Sequence, residues 1–88
     1  MAHCSQEELS ALLKDASVKV EVGARYIHFK DSAKTYVVAS LAILESSEEV
    51  AVVYTGEYGD RVSFVRPLSS WLAEVAWEGK SVPRFQKI

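Results

Sequence analysis

The chain has 88 residues, of which 49% are hydrophobic and 25% are charged, so it can build one compact core but not two independent ones. Its formal net charge of −2 excludes a polycation that binds nucleic acid through bulk charge. One cysteine cannot form an internal disulfide, and one thiol with two histidines cannot complete a tetrahedral structural zinc site.

The first predicted element is a surface helix that lies outside the main domain. Ser5 followed by Glu8 is a capping-box pattern, which is typical of a helix start. Apolar residues then recur at helical spacing: Leu9, Leu12, Leu13 and Ala16. We therefore predict an N-terminal helical extension over residues 1–17, followed by a single β domain over residues 18–88.

The β domain is predicted to consist of short strands separated by polar turns. Alternation of apolar and polar residues predicts an entry strand over Val18–Val22. Further strands are predicted over residues 25–29, 35–44, 50–54 and 62–66, with turns at residues 30–34, 45–49 and 58–61. The second of these is long enough to bend or bulge, and Val50–Tyr54 is apolar enough to be the centre of the sheet.

The C-terminal part is predicted to form a helical turn and a hairpin. Pro67 suits a helix start, and Leu68–Leu72 has apolar residues at helical spacing. Residues 74–77 and 81–85 flank a glycine-containing turn, and Pro83 indicates an edge strand. The predicted fold is mainly β, with five to six strands in a small SH3-like barrel or a strongly coiled antiparallel sheet, plus the N-terminal helix and the helical turn before the last hairpin.

The order and spacing of many residues resemble the bacterial DUF1653 family, a domain of unknown function. The matching positions are Gly23, Tyr26, His28, Lys30, Tyr36, Ala42, Tyr54, Tyr58, Gly59, Asp60, Val65, Arg66, Pro67, Leu68, Leu72, Glu74, Gly79, Lys80, Val82, Pro83, Arg84 and Phe85. The chain departs from the usual pattern at residues 43–46, and Phe64 and Trp71 replace the usual Trp and Phe. The resemblance implies a small, mostly β, barrel-like domain and carries no established activity.

Three alternating residues on the first firm strand form one candidate binding row. Tyr26, His28 and Lys30 would share a strand face, where the two rings could stack on a ligand and the lysine could contact an anion. The alternative is structural. Tyr26 would then belong to the core, His28 would bond a backbone carbonyl, and Lys30 would be solvated.

Two arginines and several aromatic residues supply further candidates. Arg66 could hold a carboxylate of a ligand, or it could form an internal salt bridge with Asp60 or Glu74. Arg84 precedes Phe85 on a predicted edge strand, where it could serve recognition or only keep the edge soluble. The rings that could form a groove, if they are exposed together, are Tyr54, Tyr58, Trp71, Trp77 and Phe85.

Several weaker motifs give little support for phosphate binding, metal binding or thiol chemistry. Gly79-Lys80-Ser81 lacks the earlier glycine of a phosphate-binding loop, and Asp60 alone is a poor metal ligand set. Met1-Ala2-His3 could bind copper or nickel only with a free Met1, and Cys4 beside His3 has no fixed partner. We therefore predict no catalytic residue, no metal and no cofactor.

The sequence best suits a cytoplasmic binding module. It has no apolar stretch near the roughly 18 residues that a membrane helix needs, and its polar, acidic start is unlike a secretory signal. We predict a non-catalytic module that binds a peptide or small molecule through Tyr26, His28, Lys30, Tyr58, Arg66, Arg84 and Phe85. It would be a monomer or a weak homodimer, without membrane contact.

Two other readings stay open. The module could bind single-stranded nucleic acid or a nucleotide, since the C-terminal residues Lys80, Arg84 and Lys87 form a basic strip. It could instead be a structural protein that dimerises through the leucines of its N-terminal helix. Catalysis is the minority hypothesis, because no nucleophile with its base is evident.

Overall fold

The computed structural model describes residues 5–88, which begin with a capped helix, α1 (Gln6–Lys19). Ser5 Oγ accepts from the Glu8 N–H at 3.1 Å, and Glu8 Oε1 accepts from the Ser5 N–H at 3.3 Å, which confirms the capping box. Within residues 5–88, no helix has the length and apolar character needed to cross a membrane.

The predicted strand over Val18–Val22 is wrong, because α1 continues through Lys19. Val20 caps the helix: it is extended, and its N–H donates to the Ala16 carbonyl at 2.9 Å. The side chains of Ala16 and Val20 are both buried. Of the three alternating valines only Val20 is buried, whereas Val18 and Val22 are exposed. The period of two therefore does not mark a strand face here.

Seven strands and a second short helix follow α1. They are β1 (Arg25–His28), β2 (Asp31–Leu44), β3 (Glu49–Gly56), β4 (Ser63–Pro67), α2 (Leu68–Leu72), β5 (Glu74–Trp77), β6 (Lys80–Pro83) and β7 (Phe85–Lys87). Five strands form an antiparallel sheet in the order β4-β3-β2-β1-β7, and β5 with β6 forms a separate hairpin. The mainly β fold is confirmed, and because the sheet does not close it is a coiled sheet rather than a barrel.

Two details differ from the sequence predictions, and a third agrees with them. The centre of the sheet is β2, with β3 beside it, so Val50–Tyr54 is not the middle strand. β2 begins at Asp31, which shortens the predicted turn after β1 to Phe29 and Lys30. The predicted bulge in β2 is confirmed by a register shift between Val38 and Ser40.

The predicted last strand, Ser81–Phe85, is divided in two. β6 ends at Pro83, and β7 leaves the hairpin to pair with β1, with Phe85 opposite His28. Arg84 makes the crossing. Its N–H donates to the Ala73 carbonyl at 3.1 Å, and its carbonyl accepts from the Phe29 N–H at 3.0 Å. The chain changes sheets here because Phe85 is buried in the core.

The core lies between one face of the sheet and the two helices. Alternation along β1, β2 and β3 brings their inward side chains together with Phe85 of β7, with Trp71 of α2 and with residues at and just after the C-terminal cap of α1. The buried cluster is Val20, Ala24, Tyr26, Val38, Val52, Tyr54, Trp71 and Phe85. At its centre the Trp71 and Phe85 rings stack with centroids 3.8 Å apart and planes 6° apart. Helix α2 is thereby fixed to the last strand.

We expect replacement of the two tryptophans to lower the stability of the protein by very different amounts. We expect Trp71→Ala to lower the free energy of unfolding by about 3–5 kcal/mol, because it removes a ring that is 3% exposed. Trp77→Ala is the matched control, since Trp77 is 39% exposed and we expect a much smaller loss. Urea unfolding followed by circular dichroism measures both. Equal losses would contradict the central place given to Trp71.

Candidate ligand-binding cleft

A cleft of about 320 Å³ opens on the inner face of the sheet, beside the core. We call it the aromatic cleft. It is lined by His28, Tyr36, Tyr54, Tyr58, Phe64, Arg66 and Phe85. Of the seven residues predicted as a binding surface, the structure brings four together here, namely His28, Tyr58, Arg66 and Phe85.

Strand register explains why the rings converge. Tyr54 of β3 is paired with Phe64 of β4, so their side chains lie side by side, with ring centroids 5.5 Å apart. Tyr36 of β2 meets Tyr54 edge to face at 5.6 Å and Phe85 at 6.1 Å. The ring of Phe64 is 39% exposed, so the cleft has an apolar wall that is open to solvent.

Arg66 lies among these aromatic rings and has no acidic partner within residues 5–88. Its Cζ atom lies 5.3 Å from the Phe85 ring centroid. Its Nε donates to the Tyr54 hydroxyl at 3.3 Å, and its Nη1 donates to Ser70 Oγ at 3.0 Å. The predicted salt bridge to Asp60 or Glu74 is wrong, since no carboxylate of residues 5–88 forms an ion pair with Arg66.

The Nη2 group of Arg66 is free to bind a ligand. It makes no hydrogen bond within the described part of the chain, and no buried side-chain nitrogen or oxygen there lacks a partner. Nη2 therefore reaches solvent. A guanidinium held at two of its nitrogens, with the third open, is oriented for contact with an anion.

His28 also lies against Phe85 in this cleft, with the two ring centroids 5.0 Å apart. Its Nδ1 accepts from the Lys30 N–H at 3.3 Å, so it bonds a backbone donor and not the predicted carbonyl. Burial lowers the pKa of His28 from its ordinary value, and the charges of Arg66, Arg84 and Lys30 lower it further. The imidazole therefore lies in a positive potential.

Tyr58 is held at the cleft by the segment before it. The Glu57 N–H donates to the Thr35 carbonyl at 2.9 Å, and the Glu57 carboxylate accepts from Arg25 Nε at 2.8 Å. Hydrogen bonds from Arg25 and Thr35 lower the pKa of Glu57, so this acid is already occupied. The next residue, Tyr58, extends its hydroxyl to within 3.1 Å of the Tyr36 hydroxyl.

In the Tyr36–Tyr58 pair, the ring of Tyr58 packs over a glycine. Burial, together with the hydrogen bond to Tyr58, raises the pKa of Tyr36 to about 12. A Cβ at Gly56 would lie 2.8 Å from Cε1 of Tyr58, so the absent side chain makes room for the tyrosine ring. Gly56 was not among the candidates, because a glycine at a strand end is ordinary turn chemistry.

The other predicted site residues lie outside the aromatic cleft. Tyr26 is buried and meets Trp71 edge to face at 5.3 Å, as the structural alternative expected. Lys30 is exposed in the turn after β1, with Nζ 5.8 Å from the Phe29 ring. Arg84 donates through Nε to the Ser70 carbonyl at 3.0 Å. Ser70 thus contacts both arginines, a role that no sequence pattern indicates.

Two of the three residues of the predicted C-terminal basic strip, Arg84 and Lys87, are engaged within the protein. Lys87 Nζ lies 2.7 Å from Glu21 Oε1 in an ion pair, and Arg84 is bonded to the backbone. Trp77 lies apart from the aromatic cleft, against Phe29, in a second cleft of about 200 Å³.

Residues 5–88 hold no group of three or more potential metal ligands among their His, Cys, Asp and Glu side chains. The weak candidates Met1-Ala2-His3 and Cys4 fall outside the described residues.

Comparison with known proteins bears on most of the chain. Residues 24–87 match the family model described as a protein of unknown function, DUF1653. A crystal structure of a DUF1653 protein from Bordetella bronchiseptica is similar, with 28% sequence identity and a TM-score of 0.67 over 80% of this chain and 90% of that one. No curated protein matches the chain. The match begins after α1 and includes every strand and every residue of the aromatic cleft. Because it covers most of the chain, the chain belongs to the DUF1653 family.

Proposed function

We propose that this protein is a non-catalytic cytoplasmic binding module that holds a small molecule or a short peptide in the aromatic cleft. The observation that carries the proposal is Arg66, a half-buried guanidinium with one open nitrogen, set among aromatic rings without a carboxylate partner among residues 5–88. A buried or half-buried charge is normally paired within the protein. A ligand that supplies the missing partner would explain its placement.

The size of the cleft sets the scale of the ligand. Its volume of about 320 Å³ is at the lower end of the range for small-molecule sites. That volume suits a single ring with its substituents, or one or two side chains of a peptide. The surrounding rings offer faces and edges for stacking, and the phenol hydroxyls offer directional hydrogen bonds.

The nucleic-acid alternative has less support. A single-stranded nucleic acid needs a basic groove along its backbone as well as stacking rings. Here Lys87 is paired with Glu21, and Arg84 is bonded to the Ser70 carbonyl. Dimerisation through α1 has one observation in its favour, since Leu12 is 41% exposed, but it leaves the aromatic cleft without a role.

We expect ligand-induced shifts in a two-dimensional amide NMR spectrum to cluster around the aromatic cleft. The probes are small aromatic compounds, the tripeptide Gly-Phe-Glu, adenosine monophosphate and a short single-stranded RNA, each at two salt concentrations. Shifts at His28, Tyr54, Phe64 and Phe85 with the small probes would support the proposal. Shifts confined to other surfaces, no shifts with any small probe, or binding of RNA alone with a steep salt dependence would overturn it.

Gly56→Ala tests whether the position of Tyr58 matters for binding. The added methyl group would displace the Tyr58 ring and break its hydroxyl contact with Tyr36, so we expect several-fold weaker binding of any probe found above. The loss of unfolding free energy should stay below about 1 kcal/mol, because Tyr58 is 37% exposed and can move. Gly59→Ala is the control for affinity, since a Cβ there meets nothing within 4 Å, although its φ of +55° adds a backbone strain of about 1 kcal/mol to that variant. Equal affinity of both variants for the probe would count against a role for Tyr58.

A further inference from the structure

Positive charge is concentrated at one end of the aromatic cleft. Arg66 of β4 lines it, and the charges of Arg84, before β7, and of Lys30, after β1, act on His28 together with that of Arg66. Among residues 5–88, no carboxylate lines the cleft. Lone cations at a half-buried site attract an anion of matching shape.

The nearby acids are already engaged. Asp31 of β2 is the register partner of His28, but its carboxylate lies 4.0 Å from Lys34 Nζ and also accepts the Ala33 N–H. Glu57 is held by Arg25 and Thr35. Either carboxylate would have to give up these contacts to turn toward His28. Asp31 and Glu57 therefore do not balance the local excess of positive charge.

Hydrogen-bond capacity at this end also favours an acceptor. Nη2 of Arg66 has two protons without partners. The Tyr36–Tyr58 pair has two hydroxyl protons and one contact between the oxygens, so one proton remains available to a ligand. Both groups would be satisfied by anionic oxygens.

We propose that the ligand of the aromatic cleft is an organic acid, whose carboxylate or phosphate binds Arg66 beside His28 while its flat apolar part lies against the rings. Both polar groups lie near the ring of Phe85. Arg66 Cζ is 5.3 Å from its centroid, and the His28 ring centroid is 5.0 Å from it. The inference rests on the proposed function and adds to it the charge of the ligand.

Binding of an acid would draw a proton onto His28. In the free protein, burial and the charges of Arg66, Arg84 and Lys30 keep the pKa of the imidazole low. The phenols of Tyr36, Tyr54 and Tyr58 face the same cleft, and burial with the hydrogen bond to Tyr58 raises the pKa of Tyr36 to about 12. A bound anion would offset the cations and raise the pKa of His28. Affinity for an acid should therefore increase as the pH falls through the raised pKa that His28 has in the complex.

The first test compares benzoate with benzamide, which share a ring and differ in charge. We expect benzoate to bind on the order of ten-fold more tightly, as charge-assisted hydrogen bonds predict. Arg66→Gln should abolish the difference, and Arg66→Lys, which keeps the charge without the fork, should retain part of it. Lys80→Gln is the control, because it removes one positive charge on the β5–β6 hairpin, outside the cleft. Thermal unfolding verifies that each variant is folded.

The second test measures the pKa of His28 by NMR of its imidazole protons. It should rise when benzoate is added and stay unchanged with benzamide. Phenyl phosphate beside benzoate distinguishes a phosphate from a carboxylate ligand, and tighter binding of either acid supports the proposal. Equal affinity for benzoate and benzamide would overturn the acid inference while leaving the binding function intact. Binding of none of these probes, nor of those in the first NMR titration, would overturn both.

Discussion

The stack of Trp71 on Phe85 is the contact that holds helix α2 against strand β7. Trp71 belongs to the five-residue helix α2, and Phe85 begins the three-residue strand β7. Elements this short have little stability of their own, so their positions depend on tertiary contacts. With ring centroids 3.8 Å apart, the stack fixes α2 above the sheet and brings β7 to the edge of β1. Both the core and the wall of the aromatic cleft follow from that contact.

The same stack places the two arginines. Ser70 precedes Trp71 in α2, where its hydroxyl accepts from Arg66 and its carbonyl accepts from Arg84. Neutral acceptors orient a guanidinium but leave its charge uncompensated, unlike an internal carboxylate. A cation of this kind keeps its attraction for an anion from outside. The structural core and the candidate binding group are therefore joined through one serine.

Local patterns predicted most of the fold, whereas contacts between distant residues decided the rest. The capping box at Ser5, the bulge in β2 and the helical turn after Pro67 all follow from short-range signals. The path of β7 does not, because the residues after Pro83 look in sequence like a continuation of the hairpin. The stacking of Phe85 on Trp71 directs this segment to β1 instead. For the cleft, residue type indicated His28, Tyr58, Arg66 and Phe85. The part played by Ser70 and Gly56 depends on atoms brought together only by folding.

The exchange of aromatic residues relative to the usual family pattern now has a location. Trp71, where the pattern has Phe, is 3% exposed in the core, and Phe64, where it has Trp, is 39% exposed at the cleft. The larger ring thus packs between α2 and the sheet, and the smaller ring lines the open side of the cleft. The two positions therefore have different consequences. Trp71 joins α2 to β7 in the core, whereas Phe64 leaves one wall of the cleft open to solvent, on the same strand as Arg66.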